Sequence, residues 1–256
     1  MKYSQVWGID QTGAKISSNK AKSLPAAFLT RKSSGIELEI NLELDKLNSQ
    51  SLASVGWNQE KASLIFVDTV LGLPNEIKKR FDRKRLQEAA QYQLDNQKYG
   101  AQVAYSFFRQ YLTPSQQKDI PTRTCEVLAQ ANSIFKLTPY QRNIGCGSYR
   151  IWSDLGSDPL WFSFWPYETQ KLHIIAEAYP SLLWKYFFKS PRFNEKLLRT
   201  LCKEHQITVS AKNFKSPDHM DAALMAVAGW LKQSQLQEPL PTIAKKEGWI
   251  FLLDEQ

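Results

Sequence analysis

The chain has 256 residues, 43% of them apolar, and carries 33 Lys and Arg against 25 Asp and Glu, a formal charge of +8. That length suits one large domain or a domain with an insertion, and the positive balance favours a polyanionic partner such as nucleic acid. The cysteines Cys125, Cys146 and Cys202 are odd in number and show no C-x-x-C spacing, which argues against a disulfide scaffold or a zinc site.

Taken in chain order, Tyr3 to Ile9 reads as a first strand closed by Asp10, and Q-T-G-A-K-I-S-S-N-K turns the chain. Ala26 to Thr30 reads as a strand. The alternation G-I-E-L-E-I-N-L-E-L reads as the next, half-exposed, with Ile36, Leu38, Ile40, Leu42 and Leu44 on one face. A short helix is expected over Asp45 to Val55. Ala62 to Val67 is a continuous apolar run, as expected of a strand buried on both faces, and Asp68 closes it before L-G-L-P. Glu76 to Gln97 is helical in pattern, its first turns loaded with Lys78, Lys79, Arg80, Arg83, Lys84 and Arg85.

Residues 76–171 read as an insertion within one domain spanning 1–256, in which N-I-G-C-G-S-Y-R-I-W and L-W-F-S-F-W-P-Y suggest strands. Lys171 to Ala178 returns as a strand ending near Glu177. Helices are expected over Pro180 to Lys189 and Phe193 to His205, and Ser216-Pro217 opens a helix through Lys232. E-G-W-I-F-L-L reads as a final strand. No hydrophobic signal core opens the chain, and the longest apolar stretch, Ala222 to Leu231, is too short to span a bilayer; a cytoplasmic protein with no membrane contact is expected.

Five acids stand at the ends of apolar runs: Asp10, Asp68, Glu177, Asp218 and Asp221. Acids at strand ends face the rim of a sheet, where ligands gain access. Asp218 and Asp221 are three apart on one helix face, and Asp221 begins an almost wholly apolar run. Four of the five have an ordinary reading as well: turn formation for Asp10 and Asp68, dipole complementation for Asp218, a satisfied pre-turn residue for Glu177; Asp221 is less easily explained so. Together they would repel one another unless a divalent cation neutralised them, and oxygen donors without Cys or clustered His point to Mg2+ or Mn2+.

The blocks G-I-D-Q-T-G-A, F-V-D-T-V-L-G-L-P, I-I-A-E-A-Y-P-S and D-H-M-D-A-A-L-M-A resemble, in that order, the four blocks of an uncharacterised bacterial and archaeal family of predicted nucleases with an RNase H-like fold. The resemblance covers nearly the whole chain, from residue 7 to about 231. It implies an α/β RNase H-like domain with a mixed central sheet. It also implies that Asp10, Asp68, Asp218 and Asp221 hold metal in the manner of RuvC-like resolvases, with Glu177 a further family-specific carboxylate. Thr69-Val70 stands where the family often has Ala-Pro, a departure that leaves the acid intact.

The expected chemistry is phosphodiester hydrolysis with two ions about 4 Å apart. In that scheme Asp10 bridges both ions, Asp68 and Asp221 hold one each, and Asp218 is an outer or alternative ligand. Lys15 and the cluster Lys78, Lys79, Arg80, Arg83, Lys84 and Arg85 are the candidate phosphate contacts, against the plainer reading of a solvated helix face. Trp161, Phe162, Phe164, Trp165 and Tyr167 offer either stacking surfaces for bases or a strand burying its aromatics. His219, between the two helical acids, is the one histidine placed to act near such ions. Two other functions fit the pattern less fully: an actin-like or sugar-kinase-like phosphotransferase, from G-I-D-Q-T-G-A-K, and a non-catalytic nucleic-acid-binding protein.

Overall fold

The computed structural model describes residues 3–11, 21–136, 144–190 and 193–252. Its centre is three strands whose every residue is buried: β1 (Gln5–Ile9), β4 (Ser63–Val67) and β6 (His173–Glu177). They run parallel, with Ile9 opposite Val67 and Val67 opposite Glu177, and near-continuous apolar sequence is what parallel strands covered on both faces require.

Beside β1, β2 (Leu24–Lys32) and β3 (Gly35–Leu44) form an antiparallel meander, and β5 (Phe162–Phe164) and β7 (Ile207–Val209) add the two edges. The strand order is β5-β6-β4-β1-β2-β3-β7, and β2 alone runs against the rest.

The helices are α1 (Ser49–Ser54), α2 (Arg83–Asn96), α3 (Ala101–Arg109), α4 (Thr124–Leu128), α5 (Ile144–Gly156), α6 (Pro180–Phe188), α7 (Glu195–Glu204), α8 (Pro217–Lys232) and α9 (Ala244–Glu247). The strands divide their side chains by parity. Trp7, Ile9, Ile65, Val67 and Ile175 face a core built with α2, α3 and α5; Val6, Leu64, Phe66, Ile174 and Ala176 face α6, α7 and α8. The segment 76–171 thus supplies most of the cover of one sheet face and the edge strand β5.

Four expectations are corrected. The apolar alternation of β3 does not stay on one face: Leu38 and Ile40 join the α8 side, whereas Leu42 and Leu44 join the α5 side. A bulge is the cause, since the register slips between Ala26↔Leu42 and Phe28↔Glu39, with Asn41 at φ 65°. An extra residue inverts the parity beyond it, and Asn tolerates the left-handed region better than most residues. The bulge has a second consequence, because the Asn41 side chain donates to Asn213 O at 2.9 Å and accepts from Lys215 N at 2.8 Å, fixing the approach to α8.

Second, N-I-G-C-G-S-Y-R-I-W is not a strand: from Ile144 onward it is the start of α5, almost wholly buried, its β-favouring residues overridden by packing on every side. Third, the described residues of the terminal E-G-W-I-F-L-L form no strand: Glu247 ends α9 and Ile250 makes a single bridge to Glu177. The expected 76–97 helix begins only at Arg83, where the Asp82 side chain caps the Arg85 N–H at 3.0 Å. Among the described residues no helix is long and apolar enough to cross a membrane.

Candidate functional site

Asp10 and Asp68 each follow the last residue of neighbouring parallel strands, and the ladder continues through them: Asp68 N donates to Ile9 O at 3.0 Å and Asp10 N to Pro25 O at 3.0 Å. Both side chains therefore leave the same face of the sheet about one inter-strand spacing apart, and the two carboxyls share a hydrogen bond. Asp10 is only 6% exposed and Asp68 is partly buried.

Burial is the largest influence on the Asp10 carboxyl and pushes its pKa far up; Asp68, Asp221 and Asp218 push it further, in that order. Asp68 is also raised, mainly by burial, with Asp221, Glu177 and Asp218 adding to it and the hydrogen bond from Asp10 opposing. Two neighbouring like charges in a poorly solvated place oppose each other's ionisation, so the pair favours keeping a proton more than free carboxyls would.

Asp221 reaches this face on α8. The helix lies against β1 because Gly8 has no side chain: a Cβ there would overlap the Ala222 carbonyl oxygen and stand 2.7 Å from Ala226 N. Gly229 makes the matching close approach two turns later, against Phe66 and Val6. One Asp221 oxygen accepts the indole N–H of Trp184, on α6, at 2.5 Å. Burial raises its pKa to about 6, with Asp218 adding to the rise and the indole opposing it. Asp218, in the first turn of α8, is exposed and acts on the pair through its field. His219 is engaged by other groups: its Nδ1 lies 2.9 Å from Ser216 Oγ and its Nε2 is 3.9 Å from Glu43, with Asp218 also in its field.

Glu177 leaves the opposite face, by the same parity that pairs it with Ile9 and Val67. It is fully buried, and both of its oxygens are taken by the Arg123 guanidinium, at 2.6 and 2.8 Å, with one also accepting Leu71 N–H at 2.8 Å. Burial pushes its carboxyl up and Arg123 pulls it back. Arg123, Trp184 and Gly8 carry no signal in the sequence: a lone Arg in P-T-R-T-C-E, one aromatic of many, and a glycine that reads as an ordinary strand residue.

The basic cluster does not form one face. Arg83 pairs with Glu168 at 2.5 Å, Arg85 is buried and pairs with Glu88 at 2.7 Å, and Lys79 sits over the Tyr111 ring. Lys78, Arg80 and Lys84 are exposed. Lys15 lies outside the described residues. Phe162, Phe164 and Trp165 are buried, which favours the core reading of those aromatics; Trp161 is 40% exposed.

Among the described residues, no three His, Cys, Asp or Glu side chains converge closely enough to hold a metal ion together. What converges is the Asp10–Asp68 pair, with Asp221 in its field. No protein-family model, curated protein or solved structure matches this chain.

Proposed function

We propose that the chain is a Mg2+- or Mn2+-dependent nuclease with an RNase H-like core, acting on DNA or RNA. The observation that carries this reading is the hydrogen-bonded Asp10–Asp68 pair at the C-terminal rim of two adjacent parallel strands. The fold part is supported by the order β3-β2-β1-β4-β6, by β2 alone being antiparallel, and by an acid-bearing helix, α8, packed on β1. The substrate part rests on the net charge of +8 and on the exposed Lys78, Arg80 and Lys84.

The donor set fits the ion. Mg2+ is commonly held by one or two carboxylates, with waters and substrate phosphate completing its shell, so a pair suffices where a full protein cage is missing. Asp10 and Asp68 would hold the ion in exchange for their shared proton. When bound, such an ion lowers the pKa of a coordinated water and neutralises charge on the phosphate. Asp221, fixed by Trp184, is placed to accept a proton or a water at the edge of the pair, and Asp218 draws cations towards the rim. Glu177 contributes structure, through Arg123.

The test is a cleavage panel over single-stranded, duplex, branched and hybrid nucleic acids with Mg2+ and Mn2+, with Asp10→Asn as control and ATP hydrolysis followed in parallel. Cleavage of at least one substrate is expected, reduced on the order of a thousandfold in Asp10→Asn. Cleavage unaffected by the substitution, or ATP turnover without cleavage of any nucleic acid, would refute the assignment.

A further inference from the structure

The segment that leaves the sheet at Asp68 is held from two sides. Val70 N donates to Ser148 Oγ at 3.0 Å and Val70 O accepts the Trp152 indole at 2.7 Å, both from α5. Leu71 N donates to Glu177 at 2.8 Å. That carboxylate is in turn set by Arg123, which is 0% exposed and spends its guanidinium on Glu177, on Glu126 at 2.9 Å and on Glu247 O at 3.4 Å. Gly72 leaves room for this arrangement, since a Cβ there would come within 2.8 Å of the guanidinium and overlap Glu247 O. Desolvating a fully buried arginine is unfavourable, and its partners offset this only where geometry and hydrogen bonding are both satisfied.

We infer that Arg123 is a positioning residue for Asp68: by fixing both oxygens of Glu177 it fixes the Leu71 backbone, and through it the turn that aims the Asp68 carboxyl at Asp10. The inference rests on the nuclease reading for its functional meaning and on the hydrogen bonds alone for its structural content. Lysine cannot replace the planar fork, because an ammonium is a point charge that leaves one Glu177 oxygen unoriented. Glutamine at 177 differs, because its carbonyl oxygen still accepts from Leu71.

Amide exchange and Mn2+ binding, measured on Arg123→Lys and Glu177→Gln, separate the possibilities. In Arg123→Lys the Leu71 amide is expected to exchange about tenfold faster relative to amides of α8. The Mn2+ dissociation constant should rise about tenfold, the usual range for losing a group that orients a ligand. Glu177→Gln keeps an acceptor for Leu71 N–H but sets its amide N–H2 against the guanidinium, so it should fall between wild type and Arg123→Lys on both. If Arg123→Lys does not fold, Glu177→Leu against Glu177→Gln makes the same comparison. Wild-type Leu71 exchange in a folded Arg123→Lys, or a general loss of protection with none specific to Leu71, overturns the positioning role. A wild-type protein that binds no Mn2+ and cleaves nothing overturns the nuclease reading instead, and the exchange data still decide whether Arg123 holds the segment.

Discussion

Asp10→Asn is expected to stabilise the metal-free protein at pH 7 while removing its response to divalent cations. The Asp10 carboxyl takes up protons more readily in the folded state than in the unfolded chain, where its pKa is near 4. Folding stability from this group is therefore complete below about pH 4 and falls as pH rises towards the raised folded value, because the folded state then binds more protons than the unfolded one. Asparagine removes that loss and can donate its amide to Asp68 where the shared proton stood. The gain at pH 7 should be on the order of 2 kcal/mol, and absent at pH 4. For a chain of this size that is roughly 4–8 °C in melting temperature. Adding Mg2+ or Mn2+ should raise the melting temperature of wild type and leave Asp10→Asn unmoved. Thermal scans at pH 4 and pH 7, with and without metal, are sufficient; a variant less stable than wild type at pH 7 would contradict the electrostatic account of the pair.

Gly8→Ala is expected to cost about 3 kcal/mol, at the upper end for an added methylene, because the new Cβ meets backbone. The Ala222 carbonyl and the Ala226 nitrogen belong to the body of α8 and cannot turn aside as a side-chain tip can. The helix must lift from β1, which carries Asp221 away from Asp10 and Asp68. Urea unfolding should show a fall in midpoint, and whatever protein folds should bind Mn2+ more weakly. Gly35→Ala is the control: Gly35 has φ +133° and nothing within 4 Å of a built Cβ, so only backbone strain, about 1 kcal/mol, is expected there. Equal losses at the two glycines would show that close helix packing is not what places Asp221.

How much of this was legible in the sequence follows from which forces are local. The apolar runs ending at Ile9, Val67 and Glu177 read correctly as strands, because burial on both faces writes itself as continuous hydrophobicity. The cap Ser216 and first-turn Pro217 placed the start of α8 to the residue. What stayed hidden was decided by tertiary contact. Ile144–Gly156 carries two glycines and β-favouring aromatics in its first turns and is helical because the core surrounds it. The bulge at Asn41 divides one perfect alternation between two cores. In the site, the meeting of Asp10 with Asp68 was foreseeable from two acids closing two strands. That Glu177 faces the other way depends on register, which no single segment states, and its partner Arg123 lies 54 positions away in the chain.

The central claim is that Asp10 and Asp68 form a cation site that a proton occupies when metal is absent. Calorimetric titration of Mn2+ into wild type, Asp10→Asn and Asp68→Asn, repeated in buffers of different ionisation enthalpy, tests it most directly. The account predicts saturable binding to wild type with release of about one proton at pH 7, and loss of that binding in both variants. Binding undiminished in Asp10→Asn and Asp68→Asn, or wild type that takes up no Mn2+, would contradict it.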